Sequence, residues 1–182
     1  MEEFLISHNY KVISKIAEGS VGTLYKVTDN IVFKVRRKEL NFHSIAIEES
    51  IVKKLFPTNI SSLENSEFYA FAMPLGISIG NIIDTVDNQV KKQWSLDLCD
   101  DLERIHNLNI AHNDISFFNV IIIDGKARFC DFDNSTKLCK YSKQNDINNL
   151  YRVLKNLVVL PLLCKQRITI EKIRIFLSTS SY

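Results

Sequence analysis

Among its 182 residues the chain has only five glycines, three prolines and one tryptophan. So few flexible and rigid breakers exclude a Gly/Ser linker or a Pro-rich spacer, and no repeat or low-complexity tract is present. Cysteine is sparse as well: Cys99, Cys130, Cys139 and Cys164 form no C-x-x-C pair and have no histidine at metal-ligand spacing. They read as reduced thiols, in the core or near the surface, of a protein kept in a reducing compartment. Long apolar runs are missing. The longest, Leu157 to Cys164, contains Pro161 and falls far short of a membrane span. The N-terminus is acidic, with only Phe4-Leu5-Ile6 as an apolar run, so no signal peptide is expected. Nor is there an excess of one charge: +2 overall gives no basis for nucleic-acid or membrane-surface binding. The one basic cluster, Lys34 to Lys38, is expected to be a solvated strand end. What remains is an ordinary globular composition, 46% hydrophobic and 24% charged, sized for one domain or two small lobes and expected in the cytoplasm.

The most informative stretch is His112-Asn113-Asp114-Ile115-Ser116-Phe117-Phe118-Asn119, followed by Asp131-Phe132-Asp133. Val120 to Ile123, Asp124-Gly125 and Lys126 to Cys130 between them read as strand, two-residue turn and strand. Such a hairpin returns Asn119 to the side of Asp131. An Asp, an Asn and a second Asp at this spacing suit phosphoryl transfer: Asp114 to orient an attacking hydroxyl, Asn119 and Asp131 to hold Mg²⁺ against the phosphates of ATP. The stretch resembles the H-x-D-x-x-x-x-N catalytic loop and D-F-G metal motif of the protein-kinase superfamily.

Further parts of that resemblance follow in order along the chain. Ala17, Gly19, Ser20 and Gly22 lie in a segment similar to the family's glycine-rich phosphate loop, with Ala17 in place of the first glycine. After a tight turn at Asp29-Asn30, Lys34 falls where the family keeps the lysine that grips the α- and β-phosphates. Ile45 to Phe56 is helical by pattern, with Ile47, Ile51 and Leu55 on one face. It carries Glu48 and Glu49; the resemblance assigns Glu48 as the partner of Lys34 and leaves Glu49 as a solvated surface acid. Glu67 to Met73 reads as a strand leading into a hinge at Ala72 to Gly76. Met73 there is expected to meet adenine, while Ala72 and Met73 both remain candidates for the gatekeeper.

From Gln89 to Leu108, the positions Trp94, Leu98, Leu102 and Ile105 mark one face of a long helix. His106 and His112 read as structural, and the resemblance places His112 beneath Phe132. Asp146 to Tyr151 resembles the start of the buried helix that braces the catalytic loop. Gln166 to Ile173 resembles the opening of the last helix, with Thr169 as N-cap. Three departures stand out: Ser116 where most of the family has Lys, Asp133 in place of the Gly of D-F-G, and only Asn134 to Asn145 where an activation loop and peptide platform would sit.

The resemblance implies an α+β, bilobal, protein-kinase-like fold. Residues 1–73 would form a lobe built on a small antiparallel sheet, and residues 74–182 a truncated, mainly helical lobe. It implies an ATP- and Mg²⁺-dependent serine/threonine protein kinase of minimal, effector or viral type, acting on a protein substrate of a host cell or its own. The alternatives are a lipopolysaccharide or small-molecule kinase, which the D-F-D ending resembles, and a pseudokinase binding module. Asn113 stands where the family's phosphate-binding Arg would be, so regulation by loop phosphorylation is not expected. Constitutive activity or a stimulating partner protein is expected instead, with Ser135→Ala, Thr136→Ala and Ser142→Ala near neutral.

Overall fold

A computed structural model describes residues 1–19, 22–39, 42–158, 160 and 168–179, with backbone alone at 42–44. Its contacts divide the chain into two compact units, Met1–Gly76 and Ile77–Tyr182.

The first unit begins with a short helix α1 (Glu2–Ser7), then β1 (Ser14–Glu18), β2 (Thr23–Lys26), β3 (Ile31–Arg37), helix α2 (Phe42–Leu55), β4 (Leu63–Glu64) and β5 (Phe68–Pro74). The strands form one antiparallel sheet in the order β1-β2-β3-β5-β4. Side chains alternate across a strand, and β3 uses both faces. Phe33 and Val35 join Tyr25, Val27, Ala70 and Ala72 in a core sealed by Phe4 and Leu5 of α1. Burying such side chains contributes about 1.5–3 kcal/mol each. Lys34 and Arg36 point to the opposite face, where both bond Glu48 of α2. Of the expected α2 face, Ile51 and Leu55 are buried and Ile47 is not. Ile47 is exposed, whereas Ile45, Glu48, Glu49, Val52 and Leu55 are buried, because the helix turns its carboxylates rather than Ile47 toward the sheet.

The second unit holds β6 (Ile77–Ser78), α3 (Asn88–Asn107), β7 (Ile110–Ala111), β8 (Val120–Ile123), β9 (Lys126–Phe129), β10 (Thr136–Lys137), α4 (Lys140–Leu154) and α5 (Ile170–Thr179). It is mainly helical, so the chain is α+β, with its main antiparallel sheet in the first unit. Asp87 caps α3, accepting from Val90 N at 2.9 Å. The expected apolar stripe, Trp94, Leu98, Leu102 and Ile105, is buried. Two buried carboxylates on α3 were not expected there. β9 is the edge of a β6-β8-β9 sheet, and its amides at Ala127 and Phe129 donate to Asp97 (3.2 Å) and Asp101 (2.8 Å). Thus α3 satisfies a strand edge that would otherwise leave buried donors unpaired. The β8–β9 turn is the expected Asp-Gly pair: Asp124 and Gly125 have φ of 49° and 78°, as a two-residue hairpin turn of this hand requires. Trp94 Nε1 donates to Gly125 O at 3.0 Å and pins the turn to α3.

α4 starts at Lys140, before the expected onset at Asp146. Cys139 acts as its N-cap in a reciprocal pair with Ser142, which extends the helix into the short connecting segment. Thr169 caps α5 as expected, its Oγ1 accepting from Lys172 N at 3.2 Å. Among the described residues no helix is long and apolar enough to cross a membrane. Of the cysteines, Cys99 is buried, Cys130 half-buried and Cys139 exposed. Burial pushes the Cys99 thiol up to about 12, so it is inert. The expectations placed on Ser20, Pro161, Cys164 and Gln166-Arg167 lie outside the described residues.

Candidate active-site residues

In the first unit the site residues cluster on β1 to β3 and α2. Ala17 lies beside a bulge in β1, paired with Leu24. Gly19 N donates to Gly22 O at 2.9 Å, closing the β1–β2 loop on itself. Gly22 has no room for a side chain: an added Cβ would lie 2.9 Å from Arg36 Cγ and 2.9 Å from Val35 O. Lys34 Nζ donates to Glu48 Oε1 at 2.7 Å, and Arg36 Nη2 bonds Glu48 Oε2. Glu48 is therefore the carboxylate that meets Lys34.

Two expectations fail here. Arg36 is no solvated strand end but 2% exposed, because its guanidinium turns inward to Glu48. Glu49 is no surface acid: it is buried, accepts from the Tyr69 hydroxyl and pairs with Lys53 at 2.6 Å. Those donors hold its carboxyl below the ordinary range against the opposing effect of burial. Burial, with Glu49 alongside, pushes Tyr69 up to about 12, so the phenol stays the donor. Met73 is buried in β5 opposite Val32.

In the second unit a fully buried carboxylate organises the loop. Asp146 of α4 accepts from His112 N and His106 Nε2 through Oδ2, at 2.9 and 3.0 Å, and from Asn113 N through Oδ1 at 2.9 Å. The His106–His112 pair is structural, as expected. His112 Nε2 donates to Cys130 O at 3.1 Å, and its Nδ1 accepts from Asp114 N at 3.3 Å. One ring nitrogen donates and the other accepts, so the imidazole is neutral. Burial accordingly pushes its pKa below the usual 6.5, against the pull of Asp146, Asp114 and Asp131. The ring packs on Phe132 at 4.8 Å between centroids, where the resemblance had placed it.

Asp114 and Asn119 meet directly: Asn119 Nδ2 donates to Asp114 O at 2.9 Å and to Asp114 Oδ2 at 3.0 Å. With the amide nitrogen committed, Oδ1 is the face that Asn119 presents as an oxygen donor. Cys130 N donates to Asn119 O at 3.0 Å, so the hairpin carries Asp131 back beside Asn119 along the chain. Asp131 and Asn113 sit at φ of 64° and 63°, in the left-handed region that non-glycine residues seldom occupy. Asp and Asn tolerate it best, and such backbone persists where surrounding bonds over-determine it. The donor set at Asn119 and Asp131 is all hard oxygen, which fits Mg²⁺ and not a soft metal. Asp133 stands at the first corner of a turn, Ser135 N donating to Phe132 O at 3.1 Å.

Asn113 has a role that the sequence left unassigned. Its Nδ2 donates to Asn134 O at 2.9 Å and Thr136 Oγ1 at 2.8 Å, so it ties the loop of His112 to Asn119 to the short segment after Asp133. Ser135 and Ser142 are buried, Ser135 Oγ donating to His112 O at 3.4 Å and Ser142 pairing with Cys139. These bonds add a modest structural cost to Ser135→Ala and Ser142→Ala, which is separate from the near-neutral effect on the rate expected of Ser135→Ala, Thr136→Ala and Ser142→Ala.

No protein-family model matches this chain. It is similar to the serine/threonine-protein kinase dst2 of Dictyostelium discoideum, at 28% identity over 154 aligned residues. That match covers 75% of this chain and 14% of the length of the relative. The likeness is to a protein kinase and is distant.

Proposed function

We propose that the chain is a minimal ATP- and Mg²⁺-dependent protein kinase that transfers the γ-phosphate to a serine or threonine hydroxyl of a protein. The observation that carries this reading is the Asp114–Asn119 pair, held on a loop whose backbone is bonded to buried Asp146. A carboxylate fixed in this way can accept or orient the hydroxyl of the acceptor without having to be recruited. Asn119 and Asp131 would hold Mg²⁺. The ion supplies charge neutralisation on the phosphates and aligns the transferred group. Lys34, fixed by Glu48, would grip the α- and β-phosphates beneath the loop of Ala17, Gly19, Ser20 and Gly22, and Met73 would line the adenine side.

The distant likeness to a serine/threonine kinase supports the phosphotransferase class and the hydroxyl preference. A second reading is favoured by one feature: only six residues, Asn134 to Cys139, connect Asp133 to α4. That segment is too short to present a peptide platform, so a lipopolysaccharide, sugar or other small-molecule acceptor is the runner-up. Asn113 already anchors this segment. The enzyme is accordingly proposed to be active without phosphorylation of its own loop, in the cytoplasm of its own or a host cell, with a partner protein as the remaining route of stimulation. Incubation of the purified chain with γ-labelled ATP, Mg²⁺ and a cell lysate separates the readings. Labelled protein bands support the proposal, and labelled glycolipid or small molecules support the runner-up. No label despite ATP-induced thermal stabilisation would make it a pseudokinase binding module.

A further inference from the structure

Arg36 is the largest fully buried side chain of the described residues, and it does not belong to the set that the sequence pattern assigned to the site. A guanidinium in that position costs several kcal/mol unless a partner compensates it. Its Nη2 bonds Glu48 Oε2 while Lys34 Nζ bonds Oε1 at 2.7 Å, so the carboxylate bridges the two cations. Lys34 and Arg36 are two residues apart on β3 and share a face. The register Thr23↔Val35 puts Gly22 level with Arg36, and an added Cβ at Gly22 would lie 2.9 Å from Arg36 Cγ. The bare backbone at Gly22 is thus the passage that the Arg36 stem needs, a demand on this glycine separate from any bound phosphate.

We infer that Arg36 is a positioning residue: it fastens Glu48, and with it α2, to the sheet before any nucleotide arrives, so that Lys34 meets a carboxylate already in place. A lysine reaches its partner through a flexible four-carbon stem and a point charge, whereas the planar guanidinium is always charged, less hydrated and better suited to a buried pair. Two cations on one carboxylate also divide the labour. Removing Lys34 leaves Glu48 compensated by Arg36 and α2 docked. Removing Arg36 takes away the bond to Oε2 and lets α2 and Glu48 move together. The consequence for turnover rests on the kinase reading; the docking of α2 does not.

Hydrogen exchange of the α2 amides in the full chain without nucleotide tests this, together with the ATP KM of the same proteins. Arg36→Met should raise α2 exchange about tenfold and the ATP KM by a similar factor, while Lys34→Ala leaves α2 exchange within about twofold. Arg36→Lys, which keeps a cation on the same face, should recover most of the protection and most of the KM. Should Arg36→Met fail to fold, Arg36→Lys still decides the matter, with α2 expected to stay protected and the KM to rise only slightly. Unchanged α2 exchange in Arg36→Met, or Lys34→Ala loosening α2 as much as Arg36→Met does, would overturn the assignment. A wild-type chain that binds no ATP would sink the kinase reading and leave the exchange comparison intact.

Discussion

The two units hold their key groups in place by different means. In the first, Lys34, Arg36 and Glu48 are fixed charge to charge, side chain against side chain. In the second, Asp146 binds backbone amides of His112 and Asn113, and neutral groups (His112, Asn113 and Asn119) complete the loop. A buried ion pair places a side chain but makes each member depend on the other. A buried carboxylate on backbone N–H groups places the loop itself, and every side chain on that loop inherits the position. The first arrangement can be loosened at one residue; the second fails as a whole or not at all.

The largest expected effect lies in the second unit. Asp146→Ala leaves two backbone donors and His106 Nε2 without their acceptor, at about 1–3 kcal/mol for each group. Urea denaturation should show a loss on the order of 5 kcal/mol; a loss below about 1 kcal/mol would mean that the loop is held by something else. Next comes the first unit. Glu48→Gln leaves Lys34 and Arg36 facing a neutral amide and should cost about 3 kcal/mol as well as most of the activity. Glu49→Gln, which weakens the Tyr69 and Lys53 contacts away from Lys34, should cost about 1 kcal/mol and spare phosphotransfer. Equal kinetic losses from the two would erase the distinction between them.

A pH titration sharpens the contrast further. His112 is depressed from 6.5 in the folded chain, so below that value the unfolded chain binds the extra proton. Its contribution to stability is therefore complete above 6.5 and declines as pH falls toward the folded pKa, by at most about 1.4 kcal/mol per pH unit. His112→Gln, which can still donate to Cys130 O, should flatten this slope. An unaltered slope would place the responsible group elsewhere. Smallest are the effects on the segment after Asp133. Ser135→Ala and Ser142→Ala should each cost about 1 kcal/mol, through a lost buried bond and a lost cap, with little change in turnover. Phosphatase treatment should leave the rate unchanged. A rate that collapsed on dephosphorylation and in one of those variants would reveal a phosphate switch.

Much of this was legible because local patterns carried it. Trp94, Leu98, Leu102 and Ile105 recur at helical spacing and are buried on one face of α3, and Asp124-Gly125 announced a two-residue turn. What escaped depended on partners distant in sequence. Six residues are too few for α1 to persist by propensity alone, and Phe4 and Leu5 are held by a sheet face assembled from β2, β3 and β5. Glu49 gave no sign of burial because Tyr69 and Ser62 supply its partners from beyond the helix. The burial of Asp97 and Asp101 depends on the amides of β9, which lie about thirty residues away along the chain. Arg36 was hidden by the rule that a run of basic residues at a strand end is solvated; the bare backbone at Gly22 and the carboxylate of Glu48 help to make its burial tolerable. Cys139 was unreadable as a cap because Ser, Thr, Asp and Asn usually take that place.

One measurement bears most directly on the claim that these residues form a phosphotransfer centre: the Mg²⁺-dependent transfer of label from γ-labelled ATP by wild-type chain and by Asp131→Ala, with thermal unfolding followed on the same preparations. On that claim Asp131 would supply an oxygen ligand and little core volume, so the expected result is loss of transfer by orders of magnitude at a nearly unchanged melting temperature. Transfer that persisted near the wild-type rate in Asp131→Ala, still requiring Mg²⁺, would contradict it.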